Sequence, residues 1–380
     1  DVDQLAVALD SVYNYEVNLL GYPAPPSDNL DGGDNLYDIY IQSSIDYGYT
    51  EFDRSIGNNR YTSFMVINND YKFFKTKGLN AAKVTAAHEF HHAIQLGQYI
   101  YREDDLFFYE LTSTAMEEFV FDHINDYYYY MNAYFSYPYK SLSDTRGGGY
   151  DIALWNIFLA ERYGHDIIKR MWELMPTTRA VKAIGLAIDE EGSTIKNELN
   201  EFGVWTYFTA HRAIEGEYFE EAENYPLIKP LMTIDFSPPS EETTINQANP
   251  LSNNFLQFTD YSTGARDTLM IVLTNGDLIS AIDGEGKTLE VTYTLSSEFD
   301  QGSESIFEKY FAKIQSPQAD YFMVSSILNY QVQGEPAREE VDFVYPQPFS
   351  YSKNINIHIP VFNNGGAPIF LNIYSVSMDL

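Results

Sequence analysis

Apolar positions recur with two different periods along this chain, and the switch between them divides it. Residues 1–15 (DVDQLAVALDSVYNY) space apolar side chains three and four apart, as on one face of an amphipathic helix. Residues 36–42 (LYDIYIQ) and 61–67 (YTSFMVI) alternate as strands do, and the second runs into the turn formers Asn68-Asn69-Asp70. A helix is predicted next: Ala81, Ala82, Ala86 and Ala87 are strong helix formers, Asn80 stands where a cap would, and Gly97 where a terminating glycine would. Residues 105–126 read as a second helix. A further helical run opens at Tyr150 after Gly147-Gly148-Gly149, carries Ile152, Trp155, Phe158 and Leu159, and ends at Gly164. After Tyr225-Pro226 and the polar stretch Ser237-Pro238-Pro239-Ser240-Glu241-Glu242 the helical period stops. Short alternating runs at 255–259, 268–273, 289–294, 321–325 and 355–361 take over, the rhythm of a β-sandwich of immunoglobulin or jelly-roll type. The pattern predicts an α+β domain over 1–235, mainly helical with a small mixed sheet. An all-β sandwich region follows over 236–340, then a partial β-module over 341–380.

Composition narrows the partners. At 380 residues and 44% hydrophobic, the chain can bury a sizeable core and a second one. A net charge of -32 repels phosphate, which argues against nucleic acid and anionic membranes. With no cysteine, stability does not come from disulfides, and cysteine usage does not identify the compartment. No apolar stretch of about twenty residues is present, so no membrane-spanning segment is expected. The first residues lack a basic n-region, so the signal peptide of an exported form would precede this numbering.

The chemistry concentrates in His88-Glu89-Phe90-His91-His92, inside the alanine-rich helix. His88 and His92 are four residues apart and project from one face, the spacing that two zinc ligands need, while Glu89, one step round, can act as base toward an attacking water. Zinc in a catalytic site takes a third protein ligand. Glu110, on the next helix after seventeen intervening residues beyond His92, is the candidate. Glu117 lies two helical turns further on the same face and is the candidate carboxylate to orient a ligand histidine. For Glu117 and Glu118 the alternative is a solvated acidic helix face. His91 points about 100 degrees away from His92 and is expected to pack rather than bind the same metal. The acidic loop 28–34 has oxygen ligands and two glycines that could cradle calcium, although its spacing is not that of an EF-hand and a plain turn is the alternative.

The segment Glu110-Leu-Thr-Ser-Thr-Ala-Met-Glu117 after HExxH is similar to the E-G-x-A-x-x-x-E pattern of the gluzincin metallopeptidases, the group of thermolysin and the zinc aminopeptidases. Together with GYPAPPSDNLDGGDNLYDIYIQ, AAHEFHHAIQ, GGGYDIALWNIFLAERYG and FGVWTYFTAHR, it resembles a family of secreted bacterial metallopeptidases over roughly the first 230 residues. The resemblance implies a zincin-like catalytic domain that uses Zn2+ on a protein or peptide substrate, and implies no particular substrate. No GxMEN-type segment precedes the zinc helix, which argues for an endopeptidase. By resemblance to the aminopeptidase branch, Tyr150 is the candidate oxyanion donor. His211 with Arg212 is the competing pair, since histidine fills that role in the thermolysin branch. Residues 63–67, just before the zinc helix, are expected to offer a sheet edge to an extended substrate, with an ordinary core strand as the alternative. The end of the chain, VYPQPFSYSKNINIHIPVFNNGGAPIFLNIYSVSMDL, resembles the C-terminal sorting domain of type IX secretion, with Gln347 in place of the usual asparagine. That resemblance implies bacterial secretion machinery as a partner and a secreted or cell-surface product. Two other readings stay open: a zinc hydrolase of a non-peptide amide, and a surface binding or adhesion protein with a vestigial metal site.

Overall fold

A computed structural model describes residues 2–30, 33–144, 148–260, 267–282, 288–297, 305–330 and 340–342. The whole segment resembling a sorting domain, 344–380, with the alternating run 355–361 inside it, lies outside these residues. Helix α1 (Val2–Tyr13) buries Leu5, Ala8 and Val12, and a π-helical turn, Asn14–Leu19, extends it with Glu16 fully buried.

Strands β1 (Ile39–Gln42), β2 (Gly48–Gly57) and β3 (Arg60–Asn68) form a small mixed sheet in the order β1-β3-β2. β3 pairs in parallel with β1 and antiparallel with β2, so residues 63–67 are central and offer no edge. The edge strands are β1 and the longer β2; β2 also contributes residues to a cavity. Seven of its ten residues are exposed, which leaves little apolar periodicity to mark it in the sequence.

Helices α2 (Gly78–Ile94) and α3 (Leu106–Phe121) pack against each other and are buried around most of their circumference, as alanine-rich and aromatic-rich surfaces permit. α2 starts from an extended Lys77 without a side-chain cap, so Asn80 lies inside the first turn. Nor does Gly97 end it. The chain continues through a π-helical turn, Gln95–Tyr99, in which Gly97 is pressed on Pro26; a Cβ there would stand 2.2 Å from Pro26 Cδ. Helix α4 (Tyr128–Ser136) follows. A 3-10 turn, Tyr150–Ile152, then leads into α5 (Leu154–Tyr163), which Gly164 closes with φ 84. Helices α6 (Asp166–Leu174), α7 (Ala180–Glu190) and α8 (Ile195–Tyr207) complete the helical part, with Trp155, Phe158, Trp172 and Phe202 fully buried among them.

The remaining elements are β4 (Met232–Asp235), β5 (Ser240–Ala248), β6 (Ser252–Thr259), β7 (Thr268–Asn275), the short helix α9 (Leu278–Ile282), β8 (Leu289–Ser297), β9 (Tyr310–Gln315), β10 (Phe322–Tyr330) and β11 (Glu340–Asp342). They form a five-stranded sheet, β11-β10-β7-β6-β4, and a three-stranded sheet, β5-β8-β9. Strand alternation gives the larger sheet two apolar faces. Leu256, Phe258, Leu269 and Ile271 share a core with Ile245, Val291, Tyr293 and Leu295 of the smaller sheet, while Phe255, Met270 and Val272 join the helical core. On that second face Asn200 of α8 donates to Val272 O (3.2 Å) and Thr274 Oγ1 (2.8 Å). β4, which precedes residue 236, already belongs to this sheet. The architecture is α+β, with helices beside mixed sheets, and no helix among the described residues is long and apolar enough to cross a membrane.

Candidate metal centre

α2 delivers His88 and His92 on one face, with ring centroids 4.7 Å apart. α3 brings Glu110 between them: its Oε2 lies 3.2 Å from His88 Nε2 and 3.4 Å from His92 Nε2. Among the described residues this is the one group of three such side chains whose ligand atoms all lie within 4.8 Å, and it could hold a metal ion.

The hydrogen bonds behind the rings suit that role. His88 Nδ1 lies 2.8 Å from Glu117 Oε1, and a carboxylate accepts, so Nδ1 carries the proton and Nε2 is left with its lone pair. His92 is set by Gln95. The Gln95 amide nitrogen donates to Tyr109 O (3.2 Å), which can only accept, and to Ser113 Oγ (3.3 Å). Gln95 Oε1 is thereby turned toward His92 Nδ1 at 2.8 Å, and Nε2 again faces Glu110. Burial alone would lower both imidazoles, but Glu110 and Glu117 outweigh it at His88 and Glu110 outweighs it at His92, so both are raised. Burial would raise the Glu110 carboxyl, yet the two histidines hold it far below the usual range. The pocket is electrostatically built for positive charge, and the donor set of two imidazoles and one carboxylate fits a divalent ion such as zinc.

Glu89 and Tyr150 line the same cavity, of about 430 Å³. Thr50 Oγ1, on the edge strand β2, donates to Glu89 Oε2 at 2.8 Å. Tyr150 stacks on His88, with ring centroids 5.7 Å apart and planes 6° from parallel. Burial, and then the neighbouring Glu110 carboxylate, push its hydroxyl far above the ordinary tyrosine value. The approach depends on Gly149, which adopts φ 105 and where a Cβ would meet Phe107 O at 2.1 Å. Glu110 and Tyr150 also line a second cavity of about 810 Å³, so the cleft extends to both sides of the group.

Other candidates lie elsewhere. His211 and Arg212 sit on a 3-10 turn, Ala210–Arg212, and line neither cavity; the Arg212 guanidinium lies over the Tyr207 ring at 4.4 Å. His91 points to the back of α2. It is fully buried, with Nδ1 2.8 Å from Glu16 Oε2, and burial lowers the imidazole and raises the carboxyl. Asp28 and Asp34 accept the N–H groups of Leu30 (3.1 Å) and Leu36 (2.8 Å), closing local turns; Asp31 and Gly32 lie outside the described residues.

Gln95, Thr50, Asp126 and Tyr130 also line or support the site, and sequence reasoning did not single them out. Gln95 alone carried a local signal, three residues after His92 on a helical path. Compared with protein-family profiles, curated proteins and solved structures, the chain shows no significant match to any.

Proposed function

We propose that this chain is a secreted, zinc-dependent peptidase of gluzincin type, acting as an endopeptidase. The observation that carries this reading is the convergence of His88 Nε2, His92 Nε2 and Glu110 Oε2 in a cavity that Glu89 also lines. His88, His92 and Glu110 would hold the ion. When bound, zinc supplies Lewis acidity to a water molecule and to the scissile carbonyl. Glu89 takes the proton of the attacking water, using Oε1 because Thr50 occupies Oε2, and delivers it to the leaving amine. The Tyr150 hydroxyl donates to the oxyanion of the tetrahedral intermediate. An extended substrate lies along the free edge of β2, whose Gly48, Tyr49 and Thr50 line the cavity. The two sheets that share a core are read as an accessory β-sandwich, and export rests on the C-terminal resemblance.

Metal analysis of the purified chain, together with mapping of cleavage positions in a peptide mixture with and without a chelator, tests the reading. Stoichiometric zinc and chelator-sensitive internal cleavage are expected. A metal-free chain, or a zinc-loaded one that leaves every peptide intact, would overturn it.

A further inference from the structure

One part of the cavity has no role in this chemistry. Past Tyr150 and Tyr130 it reaches Asp126, which is only 2% exposed. The Asp126 carboxylate accepts from the Tyr47 hydroxyl at 3.2 Å and from that of Tyr130. Among the described residues no Lys, Arg or His forms an ion pair with it. Beside it Glu117 is 5% exposed, uses Oε1 on His88, and leaves an enclosed Oε2 without a partner among the described residues. Among the described residues the cavity lining includes no lysine or arginine.

A buried carboxylate costs several kcal/mol unless a cation accompanies it. The tyrosine hydroxyls and the start of α4 offset part of that cost without neutralising the charge. The imidazoles are committed to Glu110, Glu117 and Gln95. The missing positive charge can therefore come with whatever enters the cavity. The chain's overall acidity does not account for this arrangement, because surface carboxylates remain solvated whereas Asp126 is enclosed.

We propose that this recess is a specificity subsite for a substrate cation, in which an ammonium or guanidinium group seats against the Asp126 carboxylate in the cavity that Glu117 also lines. The rings of Tyr47 and Tyr130 wall the apolar stem that carries it. The inference rests on the peptidase reading and adds the substrate class: polypeptides that present a basic group beside the scissile bond. The group is a lysine or arginine side chain within the polypeptide, as an endopeptidase requires.

Binding to the zinc-loaded Glu89→Gln protein tests this without turnover. Calorimetry would compare end-blocked pentapeptides carrying lysine, arginine, norleucine or glutamate at each position in turn, plus an unblocked norleucine peptide. At one position lysine or arginine is expected to bind roughly tenfold or more tighter than norleucine, with glutamate weakest. A gain confined to the unblocked peptide would overturn the side-chain subsite. Adding Asp126→Asn, or Asp126→Ser if the first does not fold, should bring the ratio toward one. Absence of any preference for a cation, or a preference that survives loss of the Asp126 carboxylate, would overturn the subsite. Wild-type hydrolysis of the same peptides keeps the two ideas apart: cleavage without a basic preference refutes the subsite alone, and zinc-loaded protein that binds basic peptides but cleaves none refutes the peptidase alone.

Discussion

Gln95 Oε1 lies 2.8 Å from His92 Nδ1, and the two residues are only three apart in the chain. The contact forms where α2 passes into a π-helical turn, and the amide cannot flip without facing its nitrogen to His92 and its oxygen to Tyr109 O. Replacing Gln95 by leucine removes the nearer of the two oxygens beside His92 Nδ1, leaving Ser113 Oγ at 3.1 Å. Metal affinity is expected to fall by roughly 10–100-fold while helix content is kept. Competition with a chelator of known affinity measures this, and unchanged affinity would show that Gln95 does not position His92.

Glu118, one residue beyond Glu117, gives the stability a pH dependence. Burial, then the carboxylates of Glu221, Asp122, Glu220 and Glu161, raise its carboxyl from an ordinary 4.5 to about 9. Its contribution to stability is fully present below the unfolded value near 4.5 and is lost as pH rises through about 9, because the unfolded chain gives up the proton first. Between pH 5.5 and 8 the wild type should lose about 1–3 kcal/mol more stability than Glu118→Gln, read from urea unfolding at both pH values. Parallel pH profiles for the two proteins would contradict the assignment.

Tyr150 is stacked on one candidate ligand and faces another, so its hydroxyl can be deleted with little change in shape. Tyr150→Phe is expected to lower kcat by roughly 10²–10³ while zinc content stays at the wild-type level. An effect confined to KM would exclude the oxyanion role.

The parts of this molecule legible in its sequence are those whose signal is local. His88, Glu89 and His92 are fixed by helical spacing, and Glu110 and Glu117 by their two-turn separation on the next helix; all five line one cavity. The helical run from Tyr150 to Gly164 and four of the C-terminal strands, β6, β7, β8 and β10, were visible through period and punctuation, while β4, β5, β9 and β11 were not. What was hidden depends on partners distant in the chain. β2 is an exposed edge with little apolar pattern, and β3 lost its expected edge because β1 and β2 flank it. Asp126 is an unremarkable loop residue until Tyr47, 79 residues earlier in the chain, donates to it. His211 and Arg212 were the competing oxyanion pair by resemblance to the thermolysin branch, but Tyr207 and Phe208 before them pack into the core, Arg212 lies over the Tyr207 ring, and neither residue lines either cavity.

The central claim is that Glu89 moves the proton in a metal-dependent hydrolysis. The most direct test is Glu89→Gln, with bound zinc and peptide hydrolysis measured on the same preparation. Zinc content equal to wild type, with turnover reduced by roughly 10²–10⁴ or more, is the expected result. Wild-type turnover in the zinc-loaded variant would contradict it.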